Sequence, residues 1–179
     1  LLAPSTRVIC PDLGGDRGIL LVNDGRNILY YKASRISSHT AAWEWNSILA
    51  YEGVEEADVL ILDLEDVDKP LPLVMGIPVR EIWVTGGDPR KWATQLLSGQ
   101  TARVRCLGKA ALSLDELHFI TNGSSWQMVM GEKDIFLSGR RPMPKASPHT
   151  LWITGSHGFQ EYTEKDAETM APELVIYGG

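Results

Sequence analysis

Cysteine is scarce: Cys10 and Cys106 are the two in the chain, far apart and without a CxxC partner. Metal-ligand spacing is therefore missing, and two free, buried thiols are the expectation. Long apolar runs are absent as well. Residues 19–22 and 59–62 fall far short of the ~20 residues that cross a bilayer, and the N-terminus lacks the basic, apolar, small-residue order of a signal peptide. A soluble piece is expected. Basic charge is not in excess, since 17 Lys+Arg against 23 Asp+Glu give a net −6. That is the opposite of the broad footprint of a phosphate-backbone binder, so nucleic acid could be held only by a local patch or through metal ions. Low-complexity segments and short repeats are lacking too.

What is present is 179 residues, 44% hydrophobic and 22% charged. A chain of this size can bury roughly 70% of its unfolded surface and needs no disulfide scaffold or structural metal. One domain over 1–179 is expected. It begins without Met and closes just after the strand-like Leu174-Val175-Ile176-Tyr177, so a piece of a larger protein is expected.

Residues 7–10 and 18–22 read as β, and Asn23-Asp24-Gly25-Arg26 is a hairpin signal leading into a strand at 27–31. Apolar residues then recur at mostly helical spacing over 40–51, after Thr40 as a cap, and Glu52-Gly53 ends that helix. The continuous apolar run 59–62 fits a strand buried on both faces, with a shorter one at 82–84. Asp88-Pro89 starts a helix through Trp92, Leu96 and Leu97. A β-rich stretch fills 102–138 with a turn at 131–134, followed by a proline-punctuated loop at 140–148. A strand at 149–154, a helix at 164–170 after Thr163 and a strand at 173–177 close the chain. Ile82-Trp83-Val84-Thr85-Gly86 and Leu151-Trp152-Ile153-Thr154-Gly155 share one pattern, which suggests two similar halves. β-rich runs followed by βα units, given twice, point to two mixed sheets with helices outside.

Asp63, Glu65, Asp66 and Asp68 crowd together just past a buried strand, where open α/β sheets place ligands. Taken alone they could bind a hard cation or form a solvated acidic loop. Their setting carries more. Asp12-Leu13-Gly14-Gly15-Asp16-Arg17-Gly18-Ile19-Leu20 is similar to a DVGQGDAIL motif, and Ile28-Leu29-Tyr30-Tyr31-Lys32-Ala33 to a hairpin ending ILVDGG, with Tyr31 at the aspartate. Leu62-Asp63-Leu64-Glu65-Asp66-Val67-Asp68-Lys69 stands where L-S-H-P-D-A-D-H is expected. Residues 77–87 are similar to the next strand and its Gly-Gly turn. Asn122-Gly123-Ser124-Ser125 matches an N-x-x-S segment, residues 135–140 a hairpin ending LLTGD, and residues 153–159 a strand running into HHGS. In this order, over nearly the whole chain, these motifs resemble the C-terminal metallo-β-lactamase-like domain of the ComEC family of DNA-uptake proteins.

The resemblance implies an α/β (α+β) fold, the metallo-β-lactamase-like αββα sandwich of two mixed β-sheets with outer helices. It implies a membrane-embedded remainder of the parent protein, this domain on the extracytoplasmic side, and single-stranded DNA as a candidate partner rather than a small-molecule substrate. For activity the alignment argues the reverse. A two-metal site needs imidazoles and carboxylates around both ions. Here the two loop histidines are Leu64 and Lys69, the bridging aspartate is Arg140, and one histidine of HHGS is Ser156. Asp66, Asp68 and His157 are the remnant ligands, too few to hold two ions in defined geometry. Lys69 and Arg140 would also repel a dication within ~4 Å by several kcal/mol at an effective dielectric of roughly 20. They are expected to pair with Asp66 and Asp68, leaving no catalytic residue and no metal.

Two rivals belong to other classes. One is a nuclease that uses Asp66, Asp68 and His157 with one Mn or Zn ion. The other is a protein-interaction module with exposed tryptophans. Arg140, Arg141 and Lys145 could contact a DNA backbone, with Trp126 or Trp152 stacking on bases, although tryptophans in strands more often pack in cores. His39 reads as a surface histidine, Gly14, Gly15 and Gly18 as turn glycines, and Arg103 and Arg105 as a solvated strand face.

Overall fold

A computed structural model describes residues 6–13, 16–32, 40–64, 76–86, 102–137, 139, 150–154, 168 and 171–177. The chain divides into two compact units, Leu1–Cys106 and Leu107–Gly179.

The first unit holds β1 (Arg7–Ile9), β2 (Asp12–Leu13), β3 (Asp16–Asn23), β4 (Arg26–Lys32), α1 (Thr40–Tyr51), β5 (Ala57–Asp63), β6 (Val79–Thr85) and β7 (Arg103–Leu107). Its sheet runs β1-β3-β4-β5-β6-β7, with β2 paired beside β3. β3 and β4 are antiparallel, joined by a turn in which Asp24 (φ 48°) and Gly25 (φ 79°) both take positive φ, as a two-residue I′ hairpin requires. β4, β5 and β6 are parallel. The continuous apolar run in β5 follows from burial on both faces: Leu60 and Leu62 join one cluster, while Val59 and Ile61 are buried on the other side.

α1 lays Trp45 and Leu49 into the cluster formed by Leu13, Leu20, Leu29, Tyr31, Leu60, Leu62 and Leu64. Gly53 ends the helix at φ 67°. Its N–H donates to the Ala50 carbonyl at 3.2 Å and that of Val54 to Leu49 at 2.9 Å, the paired bonds of a Schellman cap. Gly18 is not a turn glycine. It sits inside β3, and a Cβ there would come within 2.6 Å of Trp45 Cζ2 and Leu13 Cδ1, so the missing side chain is what admits the indole.

The second unit holds β8 (Lys109–Leu114), β9 (Leu117–Asn122), β10 (Trp126–Met130), β11 (Lys133–Leu137), β12 (Thr150–Thr154) and β13 (Leu174–Tyr177). These pair in the order β13-β12-β11-β10-β9-β8. β8 to β11 form an antiparallel meander, and β11, β12 and β13 are parallel. Leu117, Phe119, Trp126, Met128, Ile135 and Leu137 are buried.

Both sheets therefore pass from an antiparallel run into parallel strands. β12 lies between two parallel neighbours beside that run, the place β5 holds in the first sheet. The Trp-Thr-Gly echo links β12 with β6, so it joins strands at different positions and reflects the shared composition of buried parallel strands. The helices expected at 88–97 and 164–170 lie outside the described residues, apart from Glu168, which is helical.

Candidate functional site

Asp66, Asp68, Lys69, Arg140, Arg141, Lys145, Ser156 and His157 all lie outside the described residues, as do Glu65 and His39. The structure does define roots from which these segments leave: Asp63 and Leu64 after β5, Gly139 after β11, and the end of β12.

At the first root the backbone pairing of Lys32 with Asp63, and of Asp63 with Thr85, aligns the ends of β4, β5 and β6. Paired residues of parallel strands point to one face, so Lys32 and Asp63 meet. Lys32 Nζ lies 3.2 Å from Asp63 Oδ2, with side-chain exposures of 9% and 0%. The Tyr30 hydroxyl donates to the same oxygen at 3.1 Å. Asp63 is thus no member of a solvated acidic loop, because its carboxylate is drawn inside by a lysine and a tyrosine. Leu64 continues the ladder, its N–H donating to the Thr85 carbonyl at 2.8 Å. Its side chain, 2% exposed, belongs to the apolar cluster under α1. The position of the first loop histidine in the resembled motif is filled by a core leucine.

Tyr31, at the aspartate position of that motif, is buried and donates its hydroxyl to Asp16 Oδ2 at 2.6 Å. Burial, then the hydrogen bond to Asp16 and its charge, push the phenol above its ordinary range, so Tyr31 serves as a neutral donor. Sequence reasoning missed Lys32, Tyr30 and Asp16 as partners at this rim. The available signal was the alternation along β4, which turns Tyr30 and Lys32 to one face and Tyr31 to the other.

The second root is built by the N-x-x-S segment. Asn122 Oδ1 accepts from the N–H groups of Ser124 at 3.0 Å and Ser125 at 2.8 Å. Thr121 Oγ1 donates to the Ser125 carbonyl at 2.9 Å and accepts from Gly123 N–H at 3.0 Å. Gly123 takes φ 90° between them, a value that favours glycine. The turn holds Ser125 Oγ so that it accepts from the Gly139 N–H at 2.8 Å. Gly139 lies so close to the Ser124 backbone that no Cβ fits. The turn grips the backbone immediately before residue 140.

Other expectations change. Both cysteines are free but exposed: Cys10 lies in the link between β1 and β2, and Cys106 at an exposed position of the end strand β7. Protein packed around Cys10 still pushes its thiol pKa up. Arg105 is not simply solvated, since its guanidinium donates to Glu81 at 3.0 Å while the Trp83 indole donates to the other oxygen at 2.9 Å. Burial pushes the Glu81 carboxyl up, but the Trp83 and Arg105 hydrogen bonds and the charges of Arg105 and Arg103 outweigh it and hold it below the usual range. Trp126 and Trp152 are core residues, 0% and 5% exposed, and provide no stacking platform. Trp43 on α1 is 66% exposed.

Among the described residues no group of His, Cys, Asp or Glu could hold a metal ion. At the first root Leu64, which stands at a loop-histidine position of the resembled motif, is committed to the core, and the neighbouring Asp63 is paired with Lys32. No helix among the described residues is long and apolar enough to cross a membrane.

No protein-family model matches the chain, and no curated protein matches it. Among solved structures, the chain is similar to one described as the crystal structure of a new diphosphatase from the PhnP family. The two are 12% identical with a TM-score of 0.55, over 90% of this chain and 72% of that one. At that identity the likeness shows the fold: an α+β, metallo-β-lactamase-like protein with two mixed sheets.

Proposed function

We propose that this chain is a non-catalytic metallo-β-lactamase-like domain of a DNA-uptake membrane protein, with a structural or DNA-guiding role on the extracytoplasmic side. The observation that carries the reading is the contrast at the second root. The Asn122–Ser125 turn is complete and grips Gly139, yet the next residue is Arg140 where the resembled motif has its bridging aspartate. The scaffold that would aim a ligand is kept and the ligand is replaced by a cation. Leu64 in the apolar core points the same way. Arg140, Arg141 and Lys145 are the candidate contacts for single-stranded DNA, in a chain whose net charge of −6 confines binding to such a patch.

A direct test is Arg140→Asp. It restores one acid while Leu64, Lys69 and Ser156 stay as they are, so it is expected to show no manganese-dependent nuclease activity. Measurable manganese-dependent cleavage by that single variant would refute the reading. The likeness to a chain described as a diphosphatase favours a second reading, a phosphodiesterase holding one Mn or Zn ion on Asp66, Asp68 and His157. The metal content of the purified chain separates the two.

A further inference from the structure

We propose that Lys32 is an internal cation that fixes the end of β5, the root of the 64–69 segment, by neutralising Asp63. The inference rests on the metal-free reading above. Asp63 is the last residue of β5 and has no exposure, so an ionised carboxylate there needs a counter-charge within contact. Lys32 supplies it at 3.2 Å from the paired position at the end of β4, and its own side chain is 9% exposed. Tyr30 donates to the same carboxylate oxygen at 3.1 Å, which fixes its direction. Asp63 is followed at once by Leu64, whose backbone bonds to Thr85 and whose side chain enters the core. The ion pair therefore anchors the last residues before the acidic segment.

Both charges stand where the resembled motif has uncharged residues, glycine at Lys32 and serine at Asp63. They face each other across neighbouring strands, so the two changes compensate one another. Lys32 is a positioning residue that acts through Asp63.

The test compares wild type, Lys32→Ala, and the paired variant Lys32→Met/Asp63→Asn, which removes both charges and leaves Tyr30 an acceptor. Thermal melts are run with chelator, with manganese chloride and with propylammonium chloride. Wild type is expected to melt at one temperature in all three. Lys32→Ala is expected to melt about 10 °C lower in chelator, since the buried Asp63 carboxylate has lost the Lys32 counter-charge, and to regain about half of that loss with manganese or propylammonium. The paired variant is expected to melt above Lys32→Ala and to ignore both cations. A Lys32→Ala protein that melts like wild type, or whose loss neither cation restores, overturns the proposal. Should Lys32→Ala not fold, a folded paired variant supports the proposal and an unfolded one overturns it. Metal retained by wild type after chelation is a separate result, which overturns the metal-free reading on which the proposal rests.

Discussion

Leu64 and Gly18 show how one position can decide what a rim is able to do. A leucine at 64 gives its side chain to the cluster under α1, and an imidazole there would have to bring a polar ring into apolar surroundings. Gly18 makes room for Trp45, whose ring comes within 2.6 Å of where a Cβ would stand. Gly18→Ala is expected to lower stability by about 1–3 kcal/mol through overpacking, read by urea denaturation; an unchanged midpoint would show that the indole moves aside freely. Glu81 makes a prediction about pH. Its carboxyl is held below the usual range despite the opposing effect of burial. Its contribution is then complete above the ordinary glutamate pKa of about 4.3 and is lost as pH falls through the lower folded value. Glu81→Gln should flatten the acid limb of the melting-temperature profile, and an identical limb would remove Glu81 from the account. At this scale the sequence was least legible. Lys32 meets Asp63, and Tyr31 meets Asp16, only through strand pairing, and Asp63 looked like one acid among four because nothing local distinguishes a carboxylate that turns inward. Gly18 looked like a turn residue because glycine marks both turns and close approaches.

At the scale of elements, local chemistry was legible wherever it is self-contained. The Asn23–Arg26 hairpin, the helix Thr40–Tyr51 and its Gly53 ending all follow from residues within a few positions of each other. The N-x-x-S segment was visible as a motif but its work was not, because Gly139 lies beyond a whole hairpin from Ser125. Ser125→Ala would leave the Gly139 N–H without its acceptor, at a cost of about 1–3 kcal/mol. Loss of cooperative unfolding or a lower denaturation midpoint checks this, whereas a neutral substitution would mean that the grip on residue 139 is incidental. The Trp-Thr-Gly echo misled in its detail for a physical reason. Parallel strands buried on both faces draw on the same few residue types, so β6 and β12 look alike while holding different places in their sheets.

For the whole molecule, the order of motifs conveyed the fold better than any single motif did. An antiparallel run that passes into parallel strands occurs in each sheet, in agreement with the likeness to a metallo-β-lactamase-fold structure at 12% identity. In the metal-free reading proposed above, the buried Lys32–Asp63 pair supplies the counter-charge at the end of β5. The most direct measurement of that claim is the metal content of the purified chain, by elemental mass spectrometry, after dialysis against excess manganese and zinc and removal of loosely bound ions. A content far below one ion per chain is the expected result. One or two tightly held ions, lost in Asp68→Ala or His157→Ala, would contradict it and restore the nuclease reading.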